Sequence, residues 1–191
     1  VFESAIEMAE SKGISFQERH LSASAGALSY EDLRYDMVRC GIAVYGLNPF
    51  EDREVESLKL KPAMRVVSEL VNVKKVAAGQ GVSYGYRYVT ERETYLGLVP
   101  FGYSEGMPRV SLNHEVLIEG RRYPVVGRVA MDQFVVDLGS SNLSIGTEVI
   151  VFGDPDRGEP TAEELAASAG TINYEIVTRI GGRAKRSYPG R

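Results

Sequence analysis

No apolar run in the chain approaches the roughly 20 residues that a membrane-spanning helix needs. There is no basic excess either. Lys and Arg number 22 against 26 Asp and Glu, for a net charge of −4, which argues against the clustered cationic face of a nucleic-acid binder. The single cysteine, Cys40, cannot form an intrachain disulfide, so a reducing cytoplasm is the expected compartment. Only two histidines, His20 and His114, are present. They leave no metal-ligand constellation, and spacing shows no nucleophile–base pair. The first ten residues, VFESAIEMAE, lack an initiator Met and the basic, apolar layout of a signal peptide. What is there is an ordinary globular composition over 191 residues, enough for one large domain or two small ones.

Residues 1–12 read as the end of an amphipathic helix closed by Gly13. Residues 14–22 read as a short strand entering the small-residue stretch 22–27. The nearly all-apolar run MVRCGIAVYG, 37–46, predicts a strand buried on both faces, as in a parallel sheet. Helix, strand, helical turn and strand give an α/β rhythm. Two βα units cannot close a barrel, so residues 1–46 are expected to be the remnant of something larger. Residues 47–60 read as a linker. From about residue 61, apolar runs alternate with turn residues, which predicts an antiparallel sheet or barrel. A helix is expected after Thr161, with Thr161 as N-cap and Gly170 as C-cap. TINYEIVTRI reads as either strand or helix. The expected fold is an α/β remnant followed by a mostly antiparallel β-domain, divided into residues 1–58 and 59–191.

Arg39 is a charge inside an apolar run. It either reaches solvent at the strand end or donates into a ligand pocket where parallel strands end. Ser22, Ser24, Gly26, Gly41 and Gly46 are small residues beside strand ends; they suit either close packing or an anion cradle. GQGVSYGYRY, 79–88, reads as a hairpin or corner with surface aromatics. GYSEGMPR, 102–109, and GRVAMDQ, 127–133, read as turns, and so does GDPDRGE, 153–159, which lacks the spacing of a calcium loop. His114 is expected at the surface, whereas His20 could line a pocket.

Taken together, HLSASAGAL, VRCGIAVYG, VSYG, GYSEGMPR, GRVAMDQ and TINYEIVTR resemble, in order, the C-terminal half of bacterial alanine racemase. The resemblance spans residues 20–179. It implies the last βα units of a TIM-type (β/α)8 barrel, then a β-domain, in a head-to-tail homodimer whose β-domain completes the partner's active site. It implies pyridoxal 5′-phosphate (PLP) as cofactor and interconversion of L- and D-alanine, which supplies D-alanine for peptidoglycan. Tyr84 matches the tyrosine base. A phenol with its ordinary pKa near 10 needs cationic neighbours or strong hydrogen bonds to act as a base at neutral pH. Arg39 matches the arginine that donates to the pyridine nitrogen and keeps its proton. Ser24, Gly41, Ile42 and Tyr174 match phosphate positions. Met131 matches the residue whose backbone N–H holds the substrate carboxylate. Tyr103, Arg109, Arg128 and Asp132 match the substrate access path.

Three departures stand out. Ala23 replaces the family's usual asparagine before the phosphate serine. Glu105 in GYSEG replaces an aspartate and lengthens the side chain. Cys40, between Arg39 and Gly41, is expected to be a buried thiol. The family's Schiff-base lysine has no counterpart among Lys12, Lys59, Lys61, Lys74, Lys75 and Lys185. The expectation is therefore a C-terminal half, inactive without the N-terminal barrel half. A non-catalytic binding or dimerisation module, or a racemase for serine or a broader amino-acid set, are the alternatives.

Overall fold

The computed structural model describes residues 1–50, 59–111 and 113–188. The chain divides into two compact units, Val1–Lys61 and Pro62–Arg191. Residues 51–58 of the expected linker lie outside the described residues.

In the first unit, helix α1 (Phe2–Ser11) is followed by strand β1 (His20–Ala23), helix α2 (Ser24–Ser29) and strand β2 (Met37–Arg39). Gly13, at φ +80°, ends the first helix turn as its sequence position predicts. Its N–H bonds to the Glu10 carbonyl at 2.9 Å. Phe2 packs edge-on against Tyr35, ring centroids 5.0 Å apart, and the Tyr35 hydroxyl donates to Glu3 at 2.6 Å. β1 and β2 pair in parallel, with Ala23 opposite Arg39.

The expected buried strand over 37–46 is corrected. Only Met37–Arg39 is strand, and all three residues are exposed; Ile42–Tyr45 form a 3-10 turn that ends at Gly46 in the left-handed region. The Ser24 hydroxyl is the physical reason. It accepts the Gly41 N–H at 2.8 Å and the Ala43 N–H at 3.5 Å, which draws these amides out of any strand ladder. Cys40 follows this short strand and is exposed, so the expectation of a buried thiol is also corrected.

The second unit is built on a seven-stranded sheet in which all neighbouring strands run antiparallel. In chain order its strands are β3 (Val66–Glu69), β4 (Asn72–Val76), β7 (Thr94–Val99), β8 (Glu115–Ile118), β9 (Arg121–Val126), β10 (Phe134–Gly139) and β11 (Glu148–Phe152). Spatially they lie β3-β11-β8-β9-β10-β7-β4. β5 (Gly81–Val82) and β6 (Tyr88–Val89) form a separate small hairpin. Alternation sets the inner face: Phe134, Val136 and Leu138 of β10 are buried while Val135 and Asp137 are less so. Helices α3 (Ala162–Ala169) and α4 (Asn173–Arg179) bury Leu165 and Ile176 completely. Thr161 and Glu164 form a reciprocal capping box at 3.1 Å each way, and Gly170 adopts φ +67° at the other end. The segment TINYEIVTRI is helical over 173–179, where Glu175 and Arg179 pair at 3.0 Å one turn apart.

His114 is not at the surface. It is 2% exposed, and its Nε2–H donates to the Val151 carbonyl at 3.2 Å. Asn113 and Glu115 are exposed while His114 and Val116 are buried, so His114 continues the inward register of β8. Burial pushes its pKa down to about 4. The neutral form is thus the folded form. As pH falls from the unfolded value near 6.5 towards 4, the unfolded chain gains a proton that the folded one refuses, at a cost on the order of 3 kcal/mol. Denaturant unfolding of His114→Gln should show a shallower loss of stability between pH 7 and pH 4 than the parent; parallel curves would contradict this.

Candidate active site

In the first unit, parallel pairing brings the ends of β1 and β2 together, where α/β folds place ligands. Ser24 follows β1, is 3% exposed, and uses its oxygen to accept two backbone N–H groups. A hydroxyl that accepts twice still has its own proton to give. The Gly41 N–H is occupied by Ser24. The Ile42 N–H makes no hydrogen bond among the described residues, and the buried Ile42 side chain anchors the turn. Open space surrounds the position of a Cβ on Gly41. Arg39 ends β2, exposed, its guanidinium in no ion pair or hydrogen bond among the described residues. His20 heads β1 with a buried Nε2 that has no partner. Ala23 is exposed and offers no side-chain donor. All six lysines are exposed, and Lys75 pairs with Glu93 at 2.6 Å.

In the second unit, Tyr84 sits at the tip of the β5–β6 hairpin, 68% exposed, its hydroxyl unbonded among the described residues. Three positive-φ residues flank it: Ser83 at +56° before it, and Gly85 at +71° and Tyr86 at +41° after it. For a non-glycine residue this conformation is costly and needs support. The supports are specific. Ser83 Oγ donates to the Arg128 carbonyl at 2.6 Å, and the Tyr88 hydroxyl donates to Asp137 at 2.5 Å. Asp137 also accepts from the Thr94 hydroxyl and from the Gly139 N–H. A Cβ on Gly81 would lie 2.6 Å from the Tyr86 ring, so the hairpin base packs on its own tip.

Tyr84, Gly85, Arg128, Ala130 and Gln133 line a cavity of about 630 Å³. The Arg128 guanidinium lies 3.3 Å from where a Gly85 Cβ would stand, and its Nε is buried without a partner. Met131, 55% exposed, follows Ala130 in the 127–133 turn. Its carbonyl accepts the Ser104 N–H at 2.9 Å and the Ala130 carbonyl accepts the Tyr103 N–H at 3.1 Å. Yet the Met131 N–H itself makes no hydrogen bond among the described residues.

The structure thus brings Tyr84 and Arg128 to one cavity. It also places Tyr103, Met131 and Asp132 on two adjoined turns. Arg109 is exposed, and its carbonyl accepts the Val129 N–H at 3.3 Å. Tyr174 lies on α4, 37% exposed, its pKa raised by burial. Among the described residues no group of His, Cys, Asp or Glu could hold a metal, and no helix is long and apolar enough to cross a membrane.

Sequence reasoning missed Tyr88 and Asp137, which hold the hairpin. The available signal was Asp137 itself, a lone carboxylate in the apolar strand FVVDLG. Burial, then the Asp137 carboxylate, pushes the Tyr88 pKa up to about 12. The stabilisation this carries is complete below pH 10 and disappears as pH rises through 12. Ultraviolet titration should show one tyrosine ionising near pH 12, later than the rest, lost in Tyr88→Phe, and that variant should exchange its 81–89 amides faster. A tyrosine that still ionises near pH 12 after the substitution would refute the assignment.

Comparison with known proteins places the family and the fold. The family model described as "Alanine racemase, C-terminal domain" matches residues 63–188, and that for the N-terminal domain matches residues 1–49. The chain is 49% identical over 190 residues to the alanine racemase of Thermobifida fusca, covering 99% of this chain and 50% of that protein. It is 46% identical over 190 residues to that of Mycobacterium tuberculosis, covering 98% and 49%. The solved alanine racemase from D-cycloserine-producing Streptomyces lavendulae superposes with a TM-score of 0.95 at 47% identity, over all of this chain and 50% of that one. The Bacillus anthracis alanine racemase with bound L-Ala-P gives a TM-score of 0.85 at 36% identity, over 94% and 47%. The chain spans about half the length of the relatives it matches. A barrel remnant and an antiparallel β-domain, each matched by its own family domain, make this chain a member of the alanine racemase family.

Proposed function

We propose that residues 1–191 supply one catalytic base, the carboxylate donor and the phosphate and pyridine donors of a PLP-dependent alanine racemase. The observation that carries this reading is the hairpin. Ser83 and Tyr88 are committed to holding the turn to the sheet, while the Tyr84 and Tyr86 hydroxyls, exposed and without a hydrogen bond among the described residues, stand beside a cavity. Of the two, Tyr84 is the one in the VSYG segment that resembles the family's. That is the arrangement a proton-transfer group on a turn requires.

The donor set fits the cofactor. The Ser24 hydroxyl and the Ile42 N–H, beside the open space at Gly41, suit a phosphate group. Arg39, an unpaired guanidinium at the strand end, suits a pyridine nitrogen, to which it donates without giving up its proton. When bound, PLP supplies the conjugated system that takes up the electron pair left by the departing Cα proton. Tyr174 is proposed as a further phosphate contact. The Met131 N–H holds the substrate carboxylate, and Tyr103, Arg109, Arg128 and Asp132 line the approach to it. Tyr84 removes or returns the Cα proton on one face of alanine.

Racemisation needs a second base on the opposite face. All six lysines of this chain are exposed and none falls in a segment that resembles the family's lysine motif, so that base is assigned to sequence beyond these 191 residues. The working protein is proposed to be a cytoplasmic homodimer that supplies D-alanine. The exposed, unpaired Cys40 is compatible with a reducing compartment.

Enantiomers have equal free energy, so loss of one base must lower kcat/KM equally in both directions. The asymmetry lies in the first step. In the complete protein, Tyr84→Phe should leave cofactor binding intact and slow solvent exchange of the Cα proton from one enantiomer by about 100-fold or more. Exchange from the other enantiomer should persist. Equal loss from both would contradict the two-base reading. Arg39→Lys should alter the absorption spectrum of bound cofactor; an unchanged spectrum would remove the pyridine assignment.

A further inference from the structure

Glu105 is a carboxylate with 2% exposure, in the 102–107 turn. Its Oε2 accepts the Gly102 N–H at 2.8 Å. Its Oε1 accepts the Ser104 hydroxyl at 2.8 Å and the Arg183 Nε–H at 2.7 Å. Arg183 reaches on from there. A terminal nitrogen donates to the Asp132 carbonyl at 3.2 Å and stands 3.6 Å from the Asp132 carboxylate. Ser104 Oγ also lies 3.1 Å from that carboxylate. The Glu105 carbonyl accepts the Gly181 N–H at 3.1 Å, so the segment after α4 is fixed to the same turn.

Three chain segments therefore cross at Glu105, and glycine makes the crossing possible. A Cβ on Gly102 would fall 2.2 Å from the Met131 carbonyl oxygen, and one on Gly182 would fall 2.5 Å from the Ser104 carbonyl oxygen. Backbone bonds from Tyr103 and Ser104 then seat the 102–107 turn directly on Ala130 and Met131. Met107, 1% exposed, anchors one end of the turn in the core, and the polar bonds order the rest. Tyr103, Ser104, Met131 and Asp132 are all exposed, and none contributes its side chain to the core.

We propose that Glu105 and Arg183 are positioning residues for the substrate carboxylate, locking the 102–107 turn onto Ala130–Asp132 so that the Met131 N–H is held open and fixed in direction. The proposal rests on the reading of Met131 as the carboxylate donor. A turn free to rock would swing that N–H away or let it find an internal acceptor, which weakens binding without touching the proton-transfer group. The Arg183 guanidinium holds the Glu105 carboxyl near pKa 2, so the lock stays ionised through any working pH. The length of glutamate matters because one side chain must reach both the Gly102 amide, three residues back, and Arg183, 78 residues on.

The test uses the complete protein with its cofactor. Glu105→Gln keeps the side-chain shape and an acceptor for Gly102 while removing the charge. It leaves the Arg183 side chain, 60% exposed, in solvent, so no buried cation is stranded. Arg183→Met instead leaves the buried Glu105 carboxylate held by the Gly102 N–H and the Ser104 hydroxyl without its cation, and should also lower thermal stability. Each variant should raise KM for alanine about tenfold, change kcat less than threefold, and leave the cofactor spectrum unaltered. The double variant should be no worse than either single one, because both remove the same lock. Arg183→Lys should recover part of the loss. Amide hydrogen exchange should accelerate at 103–107 and 130–133 and not in the 81–89 hairpin.

An unchanged KM, with or without faster exchange, overturns the proposal, and so does a fall in kcat and thermal stability at constant KM. Tyr84→Phe run in parallel separates the two levels. If it blocks Cα exchange from one enantiomer while Glu105→Gln leaves KM alone, only the positioning role falls. If Tyr84→Phe is silent too, the functional reading falls and takes this inference with it.

Discussion

Asp137 is the carboxylate on which the presentation of Tyr84 depends. It accepts from Tyr88 on the hairpin, from Thr94 on β7 and from the Gly139 amide on its own strand. A reactive phenol must be exposed to meet a ligand, and exposure removes the packing that would order it. The order has to come from below. Asp137 and the Ser83–Arg128 bond provide it by tying a strained, positive-φ turn to the rigid sheet. Charge-assisted bonds to a partly buried carboxylate are stronger and more directional than apolar contacts, which makes them suited to fixing a turn that has almost no core of its own.

The same solution recurs at the neighbouring turns. Glu105 lies beneath exposed Tyr103 and Met131 as Asp137 lies beneath Tyr84. In the first unit the Ser24 hydroxyl does the comparable work with no charge, gathering the Gly41 and Ala43 amides and leaving Ile42 open. In each place an internal acceptor ties a turn down, and beside it a group is left without a hydrogen bond among the described residues. Those unpartnered groups, the Tyr84 hydroxyl, the Met131 N–H and the Ile42 N–H, are the ones the proposed chemistry uses.

Much of the fold was legible in the sequence. Short apolar runs separated by regular turn signals announced the antiparallel sheet, and Thr161 and Gly170 announced α3 at its two ends. The errors share a cause. MVRCGIAVYG has the apolar density of a buried strand, but a serine 17 residues away competes for its amides, and local pattern cannot show that. His114 was misjudged by its polar neighbours, although its register with Val116 and Ile118 was there to be read. The site residues were legible only as a set of motifs in order. Arg39, Ser24, Tyr84 and Met131 each had an ordinary explanation when taken singly. Of their supports, Asp137 was signalled as a lone carboxylate in an apolar strand, but its partner Tyr88 and the role of Arg183 were not legible, because these bonds span 49 and 78 residues.

A crystal structure of the complete protein, with cofactor and an unreactive alanine analogue bound, would test the central claim most directly. The decisive quantity is the distance from the Tyr84 oxygen to the analogue's Cα. The account predicts about 3–3.5 Å, with the analogue's carboxylate on the Met131 N–H and the cofactor phosphate on Ser24 and Ile42. A different side chain at that distance, with Tyr84 facing solvent, would contradict it.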